Sequence, residues 1–292
     1  MRCYAYTTHP HIGDNVICTG AVRNVCASHP DIKFVSAGAC VDITANNPDF
    51  VPLLDGVMYT VLPKITYGIP LEQEKTAARG SCVEAYTRSL CELLRIPMVP
   101  IVTRAPVLCL TEREKEKARE WEGAILLNAN CQKCSLSKGY PHWQKVVDML
   151  DGFRIVQIGG NEPRDLSPDL QGVEDMRGRT LLRDLIVMAY GCRGVMSPPS
   201  CVTNIAGAFE KPQIVVNASR EPDKLTDYPN AVHISHKSRC GWGVDTGCVH
   251  CRCGEGSRAC QDYVTICDRR WCWCQWSIPP ERIADEARKL FD

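Results

Sequence analysis

Apolar and polar positions along the chain fall into short blocks that switch between a period of two and a helical period. "MRCYAYT", Met1 to Thr7, alternates well enough for a strand. A helix is predicted from about Asn15 to Ala27, where Val16, Thr19, Val22 and Val25 recur at helical intervals. "IKFVSAG" (Ile32 to Gly38) and "GVMYTVLP" (Gly56 to Pro63) read as buried strands. "SCVEAYTRSLCELLRI", Ser81 to Ile96, has one apolar and one charged face. "TEREKEKAREWEG" predicts a charged helix with Thr111 as its cap and Glu114 at the capping-box position. Its charge run is that of a solvated face near a domain junction.

The cycle then restarts. "AILLNAN" (Ala124 to Asn130) and "FRIVQIGG" (Phe153 to Gly160) are strands on either side of a helix, "HWQKVVDML". "TLLRDLIVMAYG" is a helix, "RGVMSPPS" a strand running into a turn, "CVTNIAGAFE" a helix and "KPQIVVNAS" a strand. The final "PPERIADEARKLFD" is an amphipathic helix with prolines at its first turn. Strand–helix alternation in two successive blocks predicts an α/β protein of two doubly wound domains, with parallel sheets and a cleft between them. Ligands of such sheets sit at the carboxyl ends of the strands. The loops there are "THPHIGDN", "NANCQKCSLSK", "IGGNEPRDLS", "SPPSCVTN" and "NASREPDK". A helix opening at "SCVTN" offers backbone amides and a positive dipole end, which suits a phosphate.

Composition narrows the function classes. The 34 Lys and Arg balance the 34 Asp and Glu over 292 residues, so no global charge recruits the chain to nucleic acid or an anionic membrane. No apolar run is long enough for a transmembrane segment and the N-terminus lacks a signal-peptide core, so the expected location is cytoplasmic. There are 19 cysteines. Most are expected to be small buried apolar residues in a reducing compartment. Cys240, Cys248, Cys251 and Cys260 lie in a thiol-dense stretch whose spacings a structural zinc or an iron–sulfur cluster can use. Disulfides or free thiols are the alternative. A second CxxC stands at Cys131 and Cys134.

The motifs "IGDNVICTGAVRNV", "VQIGG", "LQGVEDMRGRTLLRDL", "GVMSPPSCVTNIAGAFEKPQIVV" and "SREPDKLTDYP", in this order and ahead of a cysteine-rich end, resemble glycosyltransferase family nine. These are the ADP-heptose:lipopolysaccharide heptosyltransferases and their relatives in bacteria and phages. The resemblance implies a GT-B fold: an acceptor domain over 1–121 and a nucleotide-sugar domain over 122–278, the latter holding the cysteine-rich segment 240–274. A last helix, 279–292, is expected to pack back across the junction. The resemblance also implies inverting transfer without a catalytic metal. The donor would be a nucleotide-diphosphate sugar, ADP-sugar favoured, and the acceptor a glycan, a lipid-linked glycan or modified DNA. A phage-encoded member would act in the host cytoplasm.

The family opens its first helix with a glycine and an aspartate, matched by Gly13 and Asp14. The resemblance makes Asp14 the base that deprotonates the acceptor hydroxyl; by residue type alone, Asp at such a place is an N-cap. His9, His11 and Asn15 flank it as acceptor-side candidates, with a structural loop role as the alternative for the histidines. Lys138 is the nearest match to the family's diphosphate-binding cation, with Arg183 and Arg220 as further candidates and Glu221 beside the latter. Gly159 closes the strand before another donor-side loop. The family's phosphate turn carries an aspartate, a hydroxyl residue and a glycine, then a histidine. Here Pro199, Ser200 and Cys201 stand in the turn and Asn204 at the histidine position, leaving the amides of Cys201 and Val202 to hold phosphate. Pro199, Asn204 and the thiol cluster keep open a metal-binding interaction protein on a degenerate scaffold. A second rival is a phage transferase acting on a DNA base, which predicts a basic stripe beside the cleft that the zero net charge does not favour.

Overall fold

Strand β1 (Arg2–Ala5) sits inside a four-stranded sheet of order β3-β2-β1-β4, with β2 at Ile32–Ser36, β3 at Phe50–Pro52 and β4 at Thr60–Val61. Every pairing in it is parallel. The coordinates are a computed structural model that describes residues 1–6, 11–36, 41–53, 58–63, 81–129, 139–161, 167–217, 226–235, 263–266 and 269–292. The expected buried strand at Gly56 to Pro63 is, over its described part, an exposed edge: Val61 is 66% and Met58 92% exposed. Among the described residues β4 has a neighbour on one side alone, so alternation there does not translate into burial.

Helix α1 (Ile12–Ser28) follows β1 and begins three residues before the predicted start. That difference matters, because it draws Gly13 and Asp14 into the first turn. α1 packs on α3 (Cys82–Leu94), whose amphipathic pattern and Ser81–Glu84 capping box agree with its sequence. A short helix, α2 (Val41–Thr44), follows β2. The linker to the second sheet crosses α1 at Gly20, where a Cβ would lie 2.4 Å from the Ala105 carbonyl oxygen. Buried Asn24 fastens it. Its Oδ1 accepts from the Val102 and Thr103 amides at 2.9 Å each, and its Nδ2 donates to the Thr103 carbonyl and to Thr87 Oγ1.

The second sheet has six parallel strands in the order β10-β9-β8-β5-β6-β7. They are β5 (Ala124–Leu127), β6 (Arg154–Gln157), β7 (Glu174–Asp175), β8 (Gly194–Ser197), β9 (Gln213–Asn217) and β10 (Ala231–Ser235). β5 and β8 are buried at every position, as continuous apolar runs in a parallel sheet require. On one face Ile125, Leu127, Met196, Ile214 and Val216 pack with α5 (Trp143–Asp148) and the last helix, α9 (Pro280–Phe291). On the other lie α6 (Leu182–Gly191) and α7 (Cys201–Ala208). The chain also forms a two-stranded antiparallel ribbon of β11 (Tyr263–Ile266) and β12 (Arg269–Cys272), then a short helix, α8 (Trp273–Trp276).

Among the described residues, Ile283, Ala284, Ala287 and Phe291 of α9 complete the second sheet's core, and Arg288 donates to the Met149 carbonyl. The charged helix α4 (Glu112–Ala118) caps as predicted at Thr111 and Glu114, yet its acids and bases are not all solvated. Lys117 pairs with Asp184 and Glu114 with Arg183, both on α6. The two sheets meet through apolar side chains: Val16 of α1 and Ile43 of α2 belong to one buried cluster with Leu126, Val156, Ile186, Val202 and Ile205. Cys3, Cys18, Cys26, Cys82, Cys91, Cys192 and Cys274 are buried. Among the described residues no group of acids, histidines and thiols is placed to hold a metal, and no helix is long and apolar enough to cross a membrane. Cys240, Cys248, Cys251 and Cys260 lie outside the described residues.

Candidate active site

The site grows from two helix beginnings. α1 starts after His11, an exposed residue with extended backbone whose side chain makes no capping bond. Asp14 is therefore the third residue of the helix and not its cap, so residue type alone misplaces it. Its carboxylate is instead engaged from another helix: the hydroxyl of Tyr86, on α3, donates to Asp14 Oδ1 at 2.7 Å. Asn15 donates its side-chain amide back to the His11 carbonyl, which tightens the same turn.

α7 begins close by. A Cβ on Gly13 would sit 3.7 Å from the backbone nitrogen and Cα of Cys201, and 3.2 Å from Asn204 Nδ2. A side chain there would be in ordinary contact with Cys201 and would crowd Asn204. Each helix carries about half a positive charge at its N-terminus and several amides it does not itself use. Two such ends side by side repel one another unless an anion lies between or beside them, so the pair makes a better anion site than either alone.

The turn leading into α7 is shaped from below. Asn128, at the end of β5, donates through Nδ2 to Ser197 Oγ and Ser200 Oγ at 3.1 and 3.2 Å, and the two hydroxyls lie 2.9 Å apart. Ser200 thus turns its hydroxyl inward, and its amide donates to Thr203 Oγ1. These bonds hold the turn that carries Ser200, a donor-side candidate, against the end of β5. Val202 is buried in the core, so its contribution is a first-turn amide like that of Cys201.

Asn204 is also redirected. Its Oδ1 accepts from the Tyr228 hydroxyl at 2.9 Å and its Nδ2 donates to the Gly13 carbonyl at 3.4 Å. It is a bridge between the two halves, because its place on α7 faces α1. Complete burial pushes the Tyr228 hydroxyl well above its usual range, so it remains a donor. Arg183 is spent too: its guanidinium holds Glu114 and the carbonyls of Asp42 and Cys109. Those hydrogen bonds lower the Glu114 carboxyl to about 2. Gly159 accepts the Gly178 amide at 2.9 Å, joining the loops that follow β6 and β7. His9, Lys138, Arg220 and Glu221 lie outside the described residues.

No family model matches the sequence, and no characterised protein matches it by sequence alone. Solved structures do match in shape. The E. coli ADP-heptose LPS heptosyltransferase II has a TM-score of 0.68 at 14% identity, covering 100% of this chain and 98% of its own. The glycosyl transferase family 9 protein of Veillonella parvula gives 0.67 at 11%, covering 99% and 97%. The chain has the heptosyltransferase fold. The E. coli heptosyltransferase WaaC with ADP gives 0.53 at 16%, covering 80% of this chain and 92% of its own. Two parallel sheets facing each other across α1 and α7 are the GT-B arrangement that this fold implies.

Sequence reasoning missed Tyr86, Tyr228 and Asn128. Tyr86 and Tyr228 pass for core and loop aromatics, and no local spacing reveals where a hydroxyl ends. Asn128 offered one signal, a polar residue closing an otherwise apolar strand.

Proposed function

We propose that the chain is an inverting glycosyltransferase that moves a heptose-like sugar from a nucleotide diphosphate to an acceptor hydroxyl. The observation that carries this reading is the meeting of the α1 and α7 N-termini at Gly13 and Cys201, with the Asp14 carboxylate in the same turn. The diphosphate would lie against the first-turn amides of α7, where the dipole end favours an anion. Asp14 accepts the acceptor proton as the acceptor oxygen attacks the anomeric carbon. The glycosyl–phosphate bond breaks on the opposite face, and its electron pair leaves with the nucleotide. Lys138 and Arg220 are the cations assigned to the growing charge on that leaving group, with no metal in the step. ADP is the favoured nucleotide, because two of the matching structures are an ADP-heptose transferase and a heptosyltransferase with ADP. The acceptor is a glycan or lipid-linked glycan hydroxyl, and the reaction belongs in the cytoplasm. Thermal shift against ADP-, GDP-, UDP- and CDP-sugars identifies the donor, and nucleotide release then reports turnover. Asp14→Asn should retain donor binding and lose roughly a hundred- to ten-thousand-fold in turnover. Turnover near the wild-type rate would refute the assignment of the base.

A further inference from the structure

Among the described residues, one hydrogen-bond donor meets the Asp14 carboxylate, and it comes from a different helix. Tyr86 is completely buried, with Val83 and Leu90 one turn to either side on the same face of α3. Its ring therefore cannot swing, and its hydroxyl is held at a fixed point. The bond to Oδ1 is 2.7 Å long, within the range of a hydroxyl donating to a carboxylate. From the other side, the Tyr228 hydroxyl donates to Asn204, whose amide reaches the Gly13 carbonyl. Residues 13 and 14 are thus held from two sides, by α3 and by α7.

We propose, resting on the reading of Asp14 as the base, that Tyr86 is its positioning residue. Donation to Oδ1 fixes the rotation of the carboxylate and leaves Oδ2 to take the proton. In the transfer step the acceptor O–H proton passes to Oδ2, the oxygen–carbon bond forms, and the departing phosphate takes the electron pair of the broken bond. Tyr86 keeps its own proton throughout and acts by orientation alone.

Tyr86→Phe removes one oxygen and no ring volume. The assay follows nucleotide release from whichever of the ADP-, GDP-, UDP- and CDP-sugars the wild-type chain cleaves fastest. The variant should lose about ten- to a hundred-fold in kcat, the scale of a small misplacement of a reacting group. Its KM for the donor should stay within about twofold, because no ground-state contact to donor is lost. In the Asp14→Asn background the same change should have no further effect on kcat, since two residues acting as one unit are not additive. A structural hydroxyl would instead lower the melting temperature of both backgrounds and leave kcat alone. Wild-type kcat in Tyr86→Phe beside a slow Asp14→Asn overturns this inference and spares the reading beneath it. A fast Asp14→Asn overturns that reading itself, and cleavage of none of the four donors overturns both.

Discussion

Arg183 grips both oxygens of Glu114, Nε to Oε1 at 2.7 Å and Nη2 to Oε2 at 2.9 Å. The same guanidinium donates to the carbonyls of Asp42 and Cys109, so α6 of the second sheet is tied to α2 of the first and to the linker between them. The partners are largely shielded, with 17% and 23% of their side chains exposed. A planar five-donor group is suited to this, where a lysine would hold one partner at a time.

The pair makes stability pH-dependent. Glu114 titrates at about 2 in the fold against 4.5 ordinarily, so its contribution is whole above pH 4.5 and is lost as pH falls toward 2. Asp175, held at about 2 by Arg177, acts in the same direction over a similar range. Asp49 opposes them, because burial raises its carboxyl and acid relieves the buried charge. Glu114→Gln should cost about 2 kcal/mol at pH 7 and much less at pH 3, as the wild type by then has lost most of the same interaction. Urea unfolding at the two pH values measures the difference. An equal cost at both would mean that Arg183 is held by the carbonyls alone.

Gly13 supplies a second prediction. A Cβ there meets Asn204 Nδ2 at 3.2 Å, and Asn204 cannot yield easily because buried Tyr228 holds its other end. In an ordinary first turn, alanine for glycine is neutral or favourable. Here Gly13→Ala should destabilise by about 1 kcal/mol through overpacking. Asn204→Ala should relieve that crowding, so the double variant costs less than the sum of the singles. Additive costs, read by thermal unfolding, would show that residue 13 has room.

Spacing alone yields the third. We propose that the segment around Cys240, Cys248, Cys251 and Cys260 binds about one structural zinc or one iron–sulfur cluster. Elemental analysis and an absorbance scan of the purified chain measure it. Metal-free protein whose melting temperature does not respond to chelator or added zinc would count against the proposal.

Much of the architecture was legible because buried parallel strands such as "AILL" and helices with a polar face such as "SCVEAYTRSLCELL" carry their burial in their period. Gly13 and Asp14 were legible as a motif, though not as the second and third residues of a helix. The loop "HPHIG" gives no capping signal, and His11 makes no capping bond. Arg183 and Asn204 were assigned to a donor, and each proved to be occupied by a residue distant in sequence: Glu114 for one, Tyr228 and Gly13 for the other. Long-range polar partners leave no trace in local periodicity. The exposed edge at β4 was misjudged for a related reason, since alternation marks a strand without saying how many neighbours it has.

The seam where Val16 and Ile43 join Leu126, Val202 and Ile205 has a consequence for how the molecule comes apart. Two sheets connected by a linker would ordinarily melt in separate steps. When side chains of the first complete the core of the second, parting the halves uncovers apolar surface on both at once. Local loss on either side then removes support from the other, and the described parts of the chain should melt together on heating.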